Sequence, residues 1–233
     1  MNAASFLLCL SLLVKTESHA SASSDSTTTQ LFSKLAKQMG LKDPKLKANE
    51  YEVRIWNRQA LRYGDAHMVY VLRKNRKGLT VVKYLINSNQ QGFQFAESLK
   101  PTVTVTLNLW ERLVRKHILT LPDQSIVFKK LYAEPEPRKD TVRGRMEPDG
   151  SFTIKGQKTL RKKGIFSDGE GYSFEVFSVD SYRAYNYSNP RSYIEYEPQS
   201  KELQDVVGIL DDLSLVYRAD ELGRERAKAI NKD

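Results

Sequence analysis

Tyr172-Ser173-Phe174-Glu175-Val176-Phe177 and Tyr182-Arg183-Ala184-Tyr185-Asn186-Tyr187 form the stretch whose reading decides the fold. Both segments alternate large apolar residues with smaller or polar ones, the period-2 pattern of a strand with two unlike faces. Aromatic and β-branched side chains favour that pleated surface. Pairing about Val179-Asp180 predicts an antiparallel hairpin with a definite register. On one side Tyr172 faces Tyr187, Phe174 faces Tyr185 and Val176 faces Arg183; on the other, Phe177 faces Tyr182 and Glu175 faces Ala184. Each aromatic cross-strand pair contributes roughly 0.2–1 kcal/mol.

Working outward, Asn189-Pro190 breaks the second strand. Leu203, Val206, Val207, Leu210, Leu213 and Tyr217 then mark a closing amphipathic helix over 201–217, with Ser200 as its cap. Residues 218–233 are a charged tail without an apolar stripe. Upstream, Thr141 to Met146 and Ser151 to Lys155 flank the turn Glu147-Pro148-Asp149-Gly150, a second hairpin. Residues 133–140 hold Pro135 and Pro137 among charges and are expected as a loop or linker, while Ser125 to Tyr132 is expected as a strand.

The N-terminal half shows the same mixture. Leu31, Phe32, Leu35 and Met39 form a helical stripe over 30–39 that stops at Gly40, and Lys42 to Asn49 is a polar connector. Tyr51, Val53 and Ile55 alternate with Glu52, Arg54 and Trp56. Val69 to Leu72 and Leu79 to Ile86 read as a hairpin around the basic turn Arg73-Lys74-Asn75-Arg76-Lys77-Gly78. Val103, Val105 and Leu107 alternate with threonines, which predicts a strand. Asn108 with Glu111 resembles a capping box opening a helix over 108–121, with Trp110, Leu113, Val114, His117, Ile118 and Leu121 on its apolar face. The fold class expected is α+β: a mainly antiparallel sheet packed on one side by helices at 30–39, 108–121 and 201–217. No internal repeat is present.

Asp168-Gly169-Glu170-Gly171-Tyr172-Ser173-Phe174-Glu175, followed by Tyr182-Arg183-Ala184-Tyr185-Asn186-Tyr187-Ser188-Asn189-Pro190, resembles a pattern of uncharacterised exported bacterial proteins. The shared elements are an acidic-Gly turn, Tyr-x-Phe-Glu, then Tyr-Arg-x-Tyr-x-Tyr-x-Asn-Pro before a final helix. The resemblance spans the last third of the chain. It implies export and transfers no catalytic residue.

The other end of the chain agrees with export. Phe6 to Val14 is an apolar run too short to span a bilayer, and the small residues around Ala20 and Ala22 suit a signal-peptidase site. Residues 1–22 are therefore expected as a signal peptide, 23–29 as a flexible Ser/Thr leader and 30–217 as the α+β domain. The mature protein is expected to be periplasmic or secreted. Cys9, the one cysteine, leaves with the signal, so no disulfide, thiol nucleophile or cysteine metal site is expected. The formal net charge of +9 survives cleavage, because Lys15 and Glu17 depart together. Such a balance favours anionic partners.

Chemistry-bearing residues are few. His67 has only Asp65 nearby, and no metal site or cofactor is expected. No Gly-x-Ser-x-Gly elbow or phosphate-cradling loop occurs. Glu175, on a strand among aromatic residues, is the leading acid for a glycan hydrolase, with Asp168 or Glu170 as its partner carboxylate. Arg73, Lys74, Arg76 and Lys77, with Arg161, Lys162 and Lys163, are basic turn segments that charge alone would place in solvent. Together with Tyr182 and Tyr185 as stacking surfaces, they form a candidate binding face. The expected function is thus non-catalytic binding of an envelope protein or an anionic glycan or lipid. Carboxylate-dependent hydrolysis of envelope glycans competes with it, and a structural role in envelope assembly is the third expectation.

Overall fold

The computed structural model describes residues 26–59, 62–132, 143–155 and 169–218. The expected signal peptide, the 133–140 linker and nearly all of the charged tail lie outside them. In chain order the elements are α1 (Ser26–Gln38), β1 (Tyr51–Gln59), β2 (Met68–Asn75), β3 (Gly78–Asn89), β4 (Gly92–Leu99), α2 (Leu107–Arg115) and α3 (Gln124–Leu131). They continue with β5 (Arg143–Met146), β6 (Phe152–Lys155), β7 (Glu170–Phe177), β8 (Tyr182–Ser188), α4 (Pro190–Tyr196) and α5 (Lys201–Leu215).

Six strands form one antiparallel sheet in the order β4-β3-β2-β1-β7-β8, and β5 pairs with β6 separately. The fold is α+β. The β7–β8 register carries the five expected pairs, from Tyr172 opposite Tyr187 to Phe177 opposite Tyr182. Long-range pairing sets β1 between β2 and β7, so the N-terminal and C-terminal hairpins meet along one central strand.

Helices cover both faces, not one. On the first face Val53, Ile55, Tyr70, Leu72, Phe174 and Tyr185 pack beneath Trp110 and Leu113 of α2 and Leu203, Val206 and Leu210 of α5. On the second, Trp56, Val69 and Val71 pack against Phe32, Leu35 and Ala36 of α1. Phe32 and Trp56 stack at 4.9 Å between ring centres. The reason lies in β1 and β2: both carry apolar residues on both faces, and a strand apolar on both faces needs cover on both. Each fully buried side chain of this kind contributes about 1.5–3 kcal/mol.

Three further expectations are corrected. Residues 103–107 form no strand; Thr102 donates from both its backbone N–H and its hydroxyl to the Val216 carbonyl at 2.9 Å, which pins this segment to the end of α5. Helix α2 follows, with Thr106 rather than Asn108 at its cap, and it ends at Arg115 because His117 turns into left-handed backbone at φ 59°. Where a strand was expected over 125–132 stands helix α3, with Tyr132 as its C-cap, since the Asp123 carboxylate accepts the Ser125 N–H at 3.0 Å and caps the first turn. Strand β4 and helix α4 were not foreseen: β4 has a weak alternation, and Pro190 opens a helix as well as ending a strand.

Candidate functional site

The Tyr-Arg-x-Tyr-x-Tyr pattern has a structural explanation. On a strand, Arg183, Tyr185 and Tyr187 point to one face, and all three reach the segment between α2 and α3. Arg183 donates to the carbonyls of Leu119 and Leu121 at 2.7 and 2.5 Å. Tyr185 donates to Ile118 at 2.6 Å and Tyr187 to Pro122 at 2.8 Å. These bonds satisfy four carbonyls that no regular element satisfies. Tyr185 is 1% exposed and stacks on Phe174 at 4.7 Å, so it presents no ring to a ligand. Burial holds its hydroxyl well above the ordinary tyrosine range. Gly169 and Asn189, near the two ends of the pattern, also meet. The Asn189 side chain fills the space where a side chain on Gly169 would stand, and the Asn189 N–H donates to the Glu170 carbonyl at 2.8 Å.

The opposite face holds the charged candidates in rows set by the register. Arg73, Glu52, Phe177 and Tyr182 lie side by side across β2, β1, β7 and β8, with Arg54 and Glu175 neighbours in the next row. The Glu52 carboxylate is fully buried, accepting from Arg54 Nε at 2.7 Å and from Arg73 Nε at 2.5 Å. Glu175 is 5% exposed; its two oxygens accept from Trp56 Nε1 at 2.7 Å and from the Tyr182 hydroxyl at 3.0 Å. Burial raises its pKa, against the opposing pull of those two bonds and of Arg54. The Arg54 guanidinium sits 4.9 Å from the centre of the Phe177 ring.

The carboxylates do not converge. Glu170 and Glu175 stand five residues apart on one strand, so they project from opposite faces. Glu170 accepts instead from the Tyr172 hydroxyl and from Gln59 Nε2. Asp168, Arg161, Lys162 and Lys163 lie outside the described residues.

The basic segment is redistributed. Arg73 and Lys74 are strand residues; the turn itself is Arg76-Lys77, tightened by Asn75 Oδ1, which accepts from the backbone of Lys77 at 2.8 Å and of Gly78 at 3.2 Å. Beside this tip runs the connector 42–49, held at both ends. Arg54 donates to the Lys42 carbonyl at 2.7 Å, and Lys74 Nζ donates to the Asn49 carbonyl at 2.7 Å. Lys42, Lys45 and Lys47, all exposed, therefore join the end of the sheet that carries Arg73, Lys74, Arg76 and Lys77. The three connector lysines were missed as site residues. Their spacing in a polar stretch resembles any solvated loop, and only the contacts to Arg54 and Lys74 bring them here. Tyr182, 44% exposed and packed on Phe177 at 5.0 Å, stands in the same row as Arg73.

Neither described histidine belongs to this surface. His117 sits in the turn after α2 with a half-exposed ring, not on the apolar face, and its Nε2 is 3.9 Å from Asp205. His67 precedes β2, and burial, with Arg62 adding to it, lowers its pKa to about 4. Among the described residues no cluster of three or more histidine, cysteine or acidic side chains forms, and no helix is long and apolar enough to cross a membrane.

No protein-family model matches the chain, and no curated protein matches it in sequence.

Proposed function

We propose that this is an exported, non-catalytic binding module that holds an anionic envelope component, glycan or lipid, at the basic end of its sheet. The observation that carries the proposal is the convergence of the 42–49 connector on the β2–β3 tip. Seven cationic side chains gather there against exposed Asp43, half-buried Glu50 and, in the β7–β8 turn at the same end, exposed Asp180; Glu52 is consumed by Arg54 and Arg73. A cluster of one sign attracts polyanions and speeds their encounter, and salt screens it. Tyr182 and Phe177 add an aromatic edge on which a sugar ring or acyl surface can rest. Glu175 fits this reading better than hydrolysis: a general acid needs an oxygen free for substrate, and both of its oxygens serve neighbours within the sheet.

The test uses phosphatidylglycerol vesicles and soluble polygalacturonate, with phosphatidylcholine vesicles as the neutral reference. Wild-type protein should bind both polyanions at low ionic strength and release them at high. The triple variant Lys45→Ala/Arg76→Ala/Lys77→Ala should bind at least about tenfold more weakly. Equal binding to neutral and anionic vesicles, or a triple variant that binds like wild type, would overturn the proposal. Export is tested separately by fractionating cells and sequencing the mature N-terminus, expected after Ala20 or Ala22.

A further inference from the structure

At the other end of β1, about 20 Å from the basic tip by the rise of six strand residues, the sheet edge and α3 flank an open cleft of about 810 Å³. Its walls include Arg58 from β1, Asn186 and Ser188 from β8, and Gln124, Phe128 and Lys129 from α3. This volume lies in the range of organic-ligand pockets.

Two classes of group line the cleft. Most of the neutral and acidic polar groups are already committed to one another. Gln124 accepts from the Ser188 N–H at 2.6 Å and donates to the Ser188 carbonyl at 3.0 Å, while Asp123 accepts from the Asn186 N–H at 2.8 Å and from Ser125. These bonds cap the outer edge of β8 and hold the walls rigid. The cations are in the opposite condition: both are exposed at the rim, and among the described residues neither the Arg58 nor the Lys129 side chain makes a hydrogen bond or an ion pair. Arg58 nevertheless has a set position, because its guanidinium rests against Gly171, about 3.6 Å from where a β-carbon there would stand. The remaining wall is aromatic, with Phe128 and Tyr132 edge to face at 5.6 Å.

We infer that this cleft binds a small organic anion with an aromatic body, its carboxylate held by Arg58 and Lys129 and its ring against Phe128 and Tyr132. The two unused cations call for an anionic group, and Arg58 can grip a carboxylate with two parallel hydrogen bonds. Beyond them, the Tyr132 hydroxyl is the buried group of the described walls without a hydrogen-bond partner, so a polyhydroxylated body would leave most of its hydroxyls unpaired; an aromatic one leaves none. The site is independent of the anionic-polymer reading at the basic tip.

Calorimetric titration of the full chain with 2-naphthoate tests the inference, with uncharged 2-naphthalenemethanol as the matched ring. Naphthoate should bind one to one, at least about tenfold more tightly than the alcohol. Arg58→Gln/Lys129→Gln should bring naphthoate down to the affinity of the alcohol and leave the alcohol unaffected. Ser125→Phe, which fills the cleft, should weaken both. Arg76→Ala/Lys77→Ala should change neither, which separates this site from the basic tip. Absence of saturable naphthoate binding, equal affinity for acid and alcohol in the wild type, or indifference to the Arg58 and Lys129 substitutions would each overturn the inference.

Discussion

Replacing Gly169 with alanine tests whether Gly169 and Asn189, at the two ends of the C-terminal hairpin, are a mechanical clasp. A β-carbon at 169 would meet Asn189 Oδ1 at 1.4 Å and Cγ at 2.4 Å, far inside any tolerable contact. Asn189 is buried and holds left-handed backbone at φ 50°, so its side chain must leave the clasp and the start of α4 must shift with it. Overpacking of this kind costs about 1–3 kcal/mol. Loss of the 2.8 Å bond from Asn189 N–H to Glu170 adds about 1 kcal/mol. Gly169→Ala should therefore lose about 3 kcal/mol, roughly 6–12 °C in Tm for a chain of this size. Asn189→Gly keeps the left-handed backbone at no steric cost and loses about 1 kcal/mol of side-chain contacts. In the double variant the added methyl finds the space that Asn189 vacated, so its loss should match that of Asn189→Gly alone. Urea unfolding of the four proteins measures the coupling, expected to be about 3 kcal/mol in favour of the double variant. Additive losses would refute the clasp.

Three other outcomes are expected. Arg183→Met removes two charged hydrogen bonds to the Leu119 and Leu121 carbonyls and should cost about 3 kcal/mol by urea unfolding; Arg183→Lys should recover less than half, since an ammonium cannot fork to both. The pKa of His67 falls from 6.5 to about 4 on folding, so the stability it contributes is present above pH 6.5 and is lost as pH falls towards 4. That separation sets a ceiling of about 3 kcal/mol, brought to about 1–2 kcal/mol by solvent screening at a site only partly withdrawn from water; His67→Gln should flatten urea-unfolding stability across this window, and an NMR titration placing His67 near 6.5 would contradict it. Glu175 carries the opposite sign. Its folded pKa is raised, so its contribution is full below the unfolded value of 4.5 and is lost as pH rises through the folded one. Glu175→Gln should thus gain on the wild type in thermal unfolding as pH rises from 4 to 7, and a pH-independent difference would contradict the burial argument.

Much of the sheet was legible because the signal is local. Alternation along Tyr172 to Phe177 and Tyr182 to Tyr187 assigns each side chain to a face without knowledge of the rest of the molecule, and the short turn leaves one register that pairs aromatic with aromatic. Ser200 capping α5 is equally local, its hydroxyl accepting the Leu203 N–H. The strand expected at 125–132 failed because β-branched and aromatic residues there outweighed a cap two residues upstream. Asp123 satisfies the first turn, and only Val127, Gln124 and the inner edge of Phe128 need cover. One further sign was present but not used: the unbroken apolar run Val69 to Leu72 already implied cover on both faces of the sheet.

Residue types and their period thus determined, by themselves, the α+β class, the hairpins, the closing helix and the excess of positive charge. The tertiary structure alone decided which of those charges share a surface. Glu170 and Glu175 are five residues apart in sequence and divided by the sheet, whereas Lys45 and Arg76 are far apart in sequence and share one end of it. Strand alternation is written into every pair of neighbours, but the meeting of distant segments depends on bonds such as those from Arg54 to Lys42 and from Lys74 to Asn49, which exist only once β1 lies between its two partners.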